Sequence, residues 1–268
     1  MPATLTRALL VAAPAILAAA ALTASQPAAA GSAGIRGVDV SRFNGKVDWG
    51  RVAESGVSFA FIAASRGSGG DCTLKPGECG ADPQFERNRR RARAAGIRIG
   101  AYHRAFVNGA SSPERARADA IGEAGLFVAQ VGELRGGELL PALDLETPFR
   151  RLDPARVRLW ARTWLRKVRK RLGVRPLIYT NGSSWALTGD TAEFALAGHR
   201  LWVANWGVSS PGVPAGDWAG RGWSVWQYTS SGRVGGIAGR VDLNRLGARF
   251  RAISVPKRGS RTSAKVGR

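Results

Sequence analysis

Short apolar runs alternate with helical patterns along most of the chain, and this alternation restricts the fold more than any other feature. Eight runs rich in β-branched and aromatic residues predict strands. They lie at residues 35–40, 57–64, 97–102, 139–144, 175–180, 200–204, 223–228 and 237–243. Strands that alternate with helices form a parallel sheet. Eight of them in 268 residues fit one (β/α) barrel of the TIM type, with a doubly wound open sheet as the alternative.

The predicted helices between the early strands have clear starts and stops. An N-cap residue precedes a proline at the first helical position in three places: Asp82-Pro83, Ser112-Pro113 and Asp153-Pro154. Gly96 and Gly173 follow the last turns of two helices. From about residue 200 the helical pattern fades, which predicts an irregular, partly open barrel with few helices in the last third.

The two ends of the chain differ from the middle. An apolar run from Ala8 to Leu22 precedes three alanines at 28–30. The run is shorter than the roughly 20 residues of a membrane-spanning helix. We therefore expect residues 1–30 to be a secretory signal peptide and the protein to be extracellular or cell-wall associated, without stable membrane insertion. Residues 255–268 hold five basic residues and no acid, which predicts a disordered basic tail.

The net charge of +21 indicates attraction to an anionic polymer such as the cell wall, although solvated outer helix faces explain much of it equally well. No nucleic-acid partner is expected, and we expect a monomer. Two His and two Cys are too few for a usual metal site, so no metal or cofactor is predicted. Outside the cell, Cys72 and Cys79 are expected to form a disulfide that stiffens their loop. Two free thiols are the alternative.

Polar side chains follow the predicted strands at one end. In chain order they are Asp39, Tyr102, His103, Asp144, Glu146, Tyr179, Asn181, Asn205, Gln227, Tyr228, Asp242 and Asn244. The carboxyl ends of barrel strands share one face, where such enzymes have their active sites. Four acids on that face stand out among only 19 in the chain, because placing acids at apolar strand ends costs free energy. The pattern predicts an active site around these acids.

Asp144 and Glu146 occupy positions i and i+2 of one strand and so point to the same side, with Cα atoms about 6.6 Å apart. In such a pair, one ionised carboxyl raises the pKa of the other, which can then donate a proton near neutral pH. Glycoside hydrolysis needs this arrangement. A structural pair that caps backbone amides is the alternative.

Tryptophans support a sugar ligand, since indole faces stack on the C–H faces of pyranose rings. Four of the nine crowd the late strands and loops, namely Trp202, Trp206, Trp223 and Trp226. Core packing is the alternative and is expected for Trp160 and Trp164.

Four segments resemble signatures of family 25 of the glycoside hydrolases, the lysozymes (N-acetylmuramidases) of bacteria, phage and fungi. They are GVDVSRFNG, GAYHRAF, PALDLE and WSVWQYTSSGRVGGIAGRVDLN. The resemblance covers roughly residues 35–250. It implies that residues 31–254 form one catalytic domain with a flattened, irregular β/α barrel.

The resemblance also implies a secreted muramidase that hydrolyses the β-1,4 bond between N-acetylmuramic acid and N-acetylglucosamine in peptidoglycan. Glu146 would be the general acid, and Asp144 would stabilise the 2-acetamido group or the charged intermediate. Asp39 and Asp242 match two further acids on the groove floor. Substrate contacts are expected from Tyr102, Tyr179, Asn205, Trp206, Trp226, Gln227, Tyr228 and Asn244.

Three positions depart from the family pattern. Arg66 stands where an acidic residue is frequent, Arg104 where an aromatic residue is common, and Trp206 where Tyr is frequent. The four acids are intact, so we expect the differences to affect sugar and peptide recognition at the outer subsites.

Two other functions stay open from the sequence: a non-catalytic wall-binding barrel, and an endoglycosidase acting on another N-acetylated glycan such as chitin. A Ser-His-Asp hydrolase is disfavoured, because His103 and His199 are the only histidines and no Ser lies in a G-x-S-x-G elbow.

Overall fold

The computed structural model describes residues 35–68, 79–107, 111–146, 152–247 and 250–257. The expected signal peptide, Cys72 and residues 258–268 lie outside these ranges. The disulfide between Cys72 and Cys79 therefore stays a prediction.

Nine strands among the described residues belong to one sheet that closes on itself. They are β1 (Arg36–Val40), β2 (Phe59–Arg66), β3 (Gly80–Ala81), β4 (Arg98–Arg104), β5 (Ala142–Asp144), β6 (Leu177–Asn181), β7 (Leu201–Ala204), β8 (Val225–Gly232) and β9 (Val241–Leu246). Their spatial order is β1-β9-β8-β7-β6-β5-β4-β2-β3, and β1 also pairs with β2. Eight strands thus form a closed barrel, and β3 is added at its edge.

The barrel confirms the eight predicted strands and rules out the doubly wound alternative. Six neighbouring pairs are parallel, whereas β9 runs antiparallel to both β8 and β1. The expectation of a partly open barrel was wrong, because the β1–β2 ladder closes the sheet.

Seven α-helices lie among the described residues, and the longest are in the first two thirds. They are α1 (Trp49–Glu54), α2 (Phe85–Ala94), α3 (Pro113–Val131), α4 (Pro154–Leu172), α5 (Gly182–Ala186), α6 (Glu193–Leu196) and α7 (Pro214–Gly220), with short 3-10 turns at Arg42–Asn44 and Phe250–Ile253. The described helices after α4 have seven residues or fewer. This confirms the expected scarcity of helix in the last third.

Two of the three predicted helix starts are confirmed. The side chain of Ser112 accepts a hydrogen bond from the Arg115 amide, and that of Asp153 from the Ala155 amide. The start predicted at Asp82 was wrong, because α2 begins at Phe85. The Asp82 carboxylate accepts bonds from the backbone amides of Gln84 and of the distant Arg42, each 2.8 Å long. Asp82, which the sequence predicted as a helix cap, therefore makes a tertiary contact with Arg42 instead.

The helix α7 is left-handed. Ala215 to Ala219 all have φ between 51° and 59°, a conformation that costs about 1–2 kcal/mol per residue outside glycine. Trp218 stabilises it, since this indole is buried against Trp185 and donates to the carbonyl of His199.

The helix α4 shows how the basic charge is accommodated. Its apolar stripe of Val157, Trp160, Trp164 and Val168 is fully buried, as the helical spacing predicts. The three basic residues of its last turn lie where the negative end of the helix dipole favours them.

Aromatic rings fill the inside of the barrel. Phe59 and Phe61 of β2 and Trp202 of β7 are buried there, and Trp202 stacks on Phe61 with ring centroids 4.3 Å apart. A Cβ atom at Gly37 or Gly100 would lie 2.3 Å or 2.7 Å from the Phe59 and Phe61 rings respectively. These two glycines therefore make room for the rings inside the barrel.

The end of the described chain packs against the barrel. Val255 is buried, its amide donates to the Glu138 carbonyl, and its own carbonyl accepts from the Gly137 amide. Residues 255–257 thus belong to the folded domain. No helix in the described ranges is long and apolar enough to cross a membrane.

The fully buried Ile62 of β2 provides a test of the packing. Replacing Ile62→Ala should lower the free energy of unfolding by about 2–5 kcal/mol, because the lost methyl groups leave a cavity. Leu196→Ala, at a side chain that is 68% exposed, should change it by less than about 0.5 kcal/mol. Urea denaturation followed by circular dichroism measures both. Equal losses would contradict the packing described.

Candidate active site

All four predicted acids line one cavity at the carboxyl ends of the parallel strands. The cavity has a volume of about 240 Å³ and is bordered by Asp39, Asp144, Glu146 and Asp242. The antiparallel strand β9 begins at this face, so Asp242 near its start reaches the mouth. The register of β1 and β9 pairs Asp39 directly with Asp242.

Hydrogen bonds fix the orientation of Asp39. Its Oδ2 accepts from Nε2 of Gln227 at 3.0 Å and from Nδ2 of Asn244 at 2.7 Å. Oε1 of Gln227 accepts in turn from Tyr179 Oη and Trp206 Nε1. This network connects the groove wall to the barrel floor and holds the carboxyl group in one position.

Asp39 and Asp242 act as a coupled acid pair. Burial raises the pKa of Asp39 well above its ordinary value, and the charge of Asp242 raises it further. Burial also raises the pKa of Asp242, to about 6, although the hydrogen bond from Asp39 opposes the change. The raised pKa values favour the protonated form of both carboxyl groups.

Asp144 faces the cavity with unused hydrogen-bonding capacity. It is 5% exposed, and its Oδ1 has no hydrogen-bond partner among the described residues. Burial raises the pKa of Asp144 well above its ordinary value, the charge of Glu146 raises it further, and Arg104 opposes the change. A buried carboxyl oxygen without a partner is costly in the free protein and suits a ligand that brings a donor.

The remaining predicted contacts divide into two groups. Tyr102, Tyr179, Trp206 and Gln227 border the cavity together with the acids. The other four do not border it: Asn205, Trp226, Tyr228 and Asn244.

These four side chains have other surroundings. Asn244 is fully buried. Its Oδ1 accepts a hydrogen bond from Trp202 Nε1 at 2.8 Å, and its Nδ2 donates to Asp39. Trp226 is buried in the layer outside the barrel, with Tyr228 packed against the same layer. Asn205 borders a neighbouring groove and accepts from the amide of Gly212.

Strand geometry explains the position of Trp226. Successive side chains of a strand point to opposite faces. Because Gln227 points into the barrel, its neighbour Trp226 points out of it. The sequence alone therefore could have predicted that Trp226 and Gln227 point to opposite faces of the sheet.

Two arginines that the sequence assigned to the outer subsites lie in the cavity beside the acids. Arg66 ends β2 and Arg104 ends β4, and both line the cavity. Arg104 forms an ion pair with Glu146. Their positions at strand ends, like those of the acids, were the signal that could have identified them.

A buried chain of hydrogen bonds connects β2, β4 and α3. Ser65 Oγ lies 2.8 Å from His103 Nδ1, and His103 Nε2 lies 2.6 Å from Glu123 Oε2. Although this order of residues resembles a hydrolase triad, burial lowers the pKa of His103 to about 3. Ser65, His103 and Glu123 are each at most 1% exposed, so this chain of hydrogen bonds belongs to the packing.

The fold and the site together define a class of enzyme. A β/α barrel whose mouth gathers paired carboxyl groups, tyrosines and an exposed indole has the groups that glycosidic-bond cleavage requires. This combination is the one expected of a glycoside hydrolase.

Comparisons with known proteins identify the family. The sequence profile described as Glycosyl hydrolases family 25 matches residues 38–237. The chain is 35% identical to Lysozyme M1 of Streptomyces globisporus over 223 residues, which is 81% of this chain and 69% of that protein. The crystal structure of a bacterial lysozyme from Streptomyces coelicolor is 33% identical and superposes with a TM-score of 0.69, covering 83% of this chain and 96% of that one.

A solved structure with lower sequence identity supports the fold. The structure of a family GH25 lysozyme from Aspergillus fumigatus is 22% identical and superposes with a TM-score of 0.67, over 82% of this chain and 99% of that one. The chain belongs to family 25 of the glycosyl hydrolases.

The acid pair predicts a pH dependence of stability. The pKa of Asp242 is raised to about 6, above the value of about 3.9 in an unfolded chain. The folded state therefore binds the proton of the Asp242 carboxyl group more tightly than the unfolded state does. The resulting stabilisation is complete below about pH 4 and is lost as the pH rises through about 6.

We expect the free energy of unfolding to fall more steeply between about pH 4 and 6 in the wild type than in Asp242→Asn. Urea denaturation of both proteins at several pH values gives the two slopes. Equal slopes would show that Asp242 does not hold this proton.

Proposed function

We propose that the protein is a muramidase that hydrolyses the β-1,4 bond between N-acetylmuramic acid and N-acetylglucosamine in peptidoglycan. The observation that carries the proposal is the convergence of Asp39, Asp144, Glu146 and Asp242 on one cavity. Membership of family 25 and the similarity to Lysozyme M1 support it. Peptidoglycan is an anionic polymer outside the cytoplasm, so an exported chain with a net charge of +21 suits this substrate.

In this proposal Glu146 protonates the glycosidic oxygen as the bond to the anomeric carbon breaks. Asp144 accepts a hydrogen bond from the substrate's acetamido N–H through its unpartnered Oδ1. The acetamido carbonyl oxygen then attacks the anomeric carbon and forms a cyclic intermediate. Water opens this intermediate while Glu146, now ionised, takes up the proton of that water.

The Asp39–Asp242 pair has a supporting role in this scheme. Their raised pKa values favour protonation, which limits the negative charge beside Asp144. Trp206, whose side chain is 52% exposed at the groove, offers a face for a sugar ring.

Localisation and assembly belong to the same proposal. Residues 1–30 would direct export and be removed, and the monomer would act at the cell wall. The basic residues outside the cavity would attract it to anionic wall polymers, more strongly at low salt.

The variant Glu146→Gln tests the general acid. It should lower the rate of hydrolysis about 10²- to 10⁴-fold, because the amide keeps the shape of the side chain and has no proton to give. Mass spectrometry of the reducing ends released from purified peptidoglycan measures this rate and identifies the sugar at the cut.

The matched control is Glu114→Gln, at an exposed residue of the first turn of α3, which should retain the wild-type rate. Near-normal turnover of Glu146→Gln would refute the assignment. Release of ends from chitin but not from peptidoglycan would favour the alternative endoglycosidase. A wild type that binds the wall and releases no ends would favour the binding module.

The acetamido mechanism predicts retention of the anomeric configuration, because two displacements occur at the same carbon. A proton NMR time course should show the β-anomer as the first product, followed by slow mutarotation. An α-anomer formed first would rule out the cyclic intermediate while leaving Glu146 as the acid.

A further inference from the structure

Two arginine side chains stand next to each other in the cavity. The parallel register of β2 and β4 pairs Arg66 with Arg104, and both line the cavity beside Asp144 and Glu146. Like charges directly opposite each other on neighbouring strands destabilise a sheet. Both arginines offset the negative charge of these acids, and the proposed hydrolysis gives neither of them a contact with the substrate.

One buried aromatic ring supports both guanidinium groups. The Cζ atoms of Arg66 and Arg104 lie 5.1 Å and 5.8 Å from the ring centroid of Phe106. Phe43, which is 69% exposed at the cavity rim, lies 5.2 Å from Arg66 on another side. Cation–π contacts of this kind hold a guanidinium group in place.

An irregularity of the sheet aims Arg66 at the cavity. The register of β2 against β4 shifts between Ala63 and Ser65, and such bulges redirect the side chains that follow them. As a result, Ser65 and Arg66 both border the cavity although they are adjacent in sequence.

In the free protein, Asp144 and Glu146 are the negatively charged neighbours of Arg66 and Arg104. Arg104 forms an ion pair with Glu146, and both arginines lie near enough to Asp144 to lower its pKa. A substrate carboxylate that entered here would meet two guanidinium groups with matching planar geometry. It could replace the Glu146 carboxylate at Arg104.

We propose that Arg66 and Arg104 form a subsite for a carboxylate carried by the muramyl residue of the substrate. When this carboxylate binds, Glu146 exchanges its contact with Arg104 for the glycosidic oxygen. The inference rests on the proposed muramidase function. The carboxylate has two sources, the lactyl group of muramic acid where no peptide is attached and the acidic residue of an attached stem peptide.

Binding to the wild-type protein tests the subsite without hydrolysis. Isothermal titration with N-acetylmuramic acid, with its neutral lactyl methylamide and with N-acetylmuramyl-L-alanyl-D-glutamate gives three dissociation constants. We expect about tenfold tighter binding or more for a carboxylate ligand than for the neutral amide. If N-acetylmuramic acid binds more tightly than its methylamide, the subsite recognises the lactyl carboxylate. If only the glutamate peptide binds more tightly than the methylamide, the subsite recognises the stem peptide. Equal affinities for all three would overturn the subsite.

Variants locate the preference in the chain. Arg66→Gln and Arg104→Gln should each reduce the ratio of the acid and amide dissociation constants to less than about threefold. The control is Arg98→Gln, at an exposed arginine at the other end of the same strand β4, which should keep the ratio. A preference that survives in both variants would overturn the subsite. Because the wild-type comparison needs no variant, a variant that fails to fold leaves the test intact.

Hydrolysis separates this inference from the proposed function. Defined oligosaccharides of alternating N-acetylglucosamine and N-acetylmuramic acid, with free or amidated lactyl groups, serve as substrates. If the acid is bound more tightly and neither form is cleaved, the subsite stands and the muramidase proposal fails. If both forms are bound and cleaved equally, the muramidase proposal stands and the subsite fails.

Discussion

The pairing of β1 with β2 closes the sheet, and the arrangement of the site depends on it. Closure places Asp39 of β1 between Asp242 on one side and the arginine-bearing strands on the other. In an open sheet, β1 and β2 would lie at opposite edges. The acids of the first and last strands would then be far from Arg66. Closure therefore creates the cavity by bringing Asp39 and Asp242 beside Arg66 and Arg104.

Alternation of side chains decides which residues reach that cavity. Along each strand, every second residue points inward. The lower inward positions hold large rings, including Phe59, Phe61 and Trp202, and the upper ones hold the polar groups. The rings exclude water from below, and this desolvation raises the pKa values of Asp39 and Asp144. The same packing that stabilises the barrel thus favours the protonated forms of Asp39 and Asp144.

The distribution of charge follows from the same constraint. Buried carboxyl groups need hydrogen bonds or counter-charges, and here Gln227, Asn244 and Arg104 supply them. Most basic residues of α4 instead lie outside, opposite its buried stripe. The net charge of +21 is therefore compatible with a cavity in which acids outnumber arginines. An anionic polymer drawn to the basic exterior would present its sugars to acids and its carboxylates to the two arginines.

The sequence by itself determined the strands, the two capped helices and the positions of the four acids, because these depend on local periodicity, on proline and on residue type at strand ends. It also carried the resemblance to family 25. The tertiary structure alone decided that Asp82 binds the Arg42 amide and that Asn244 supports Asp39 from below. It also decided that Arg104 pairs with Glu146. Each of these contacts joins residues 40 or more positions apart, and such pairs are set by barrel register and packing, which local pattern does not encode.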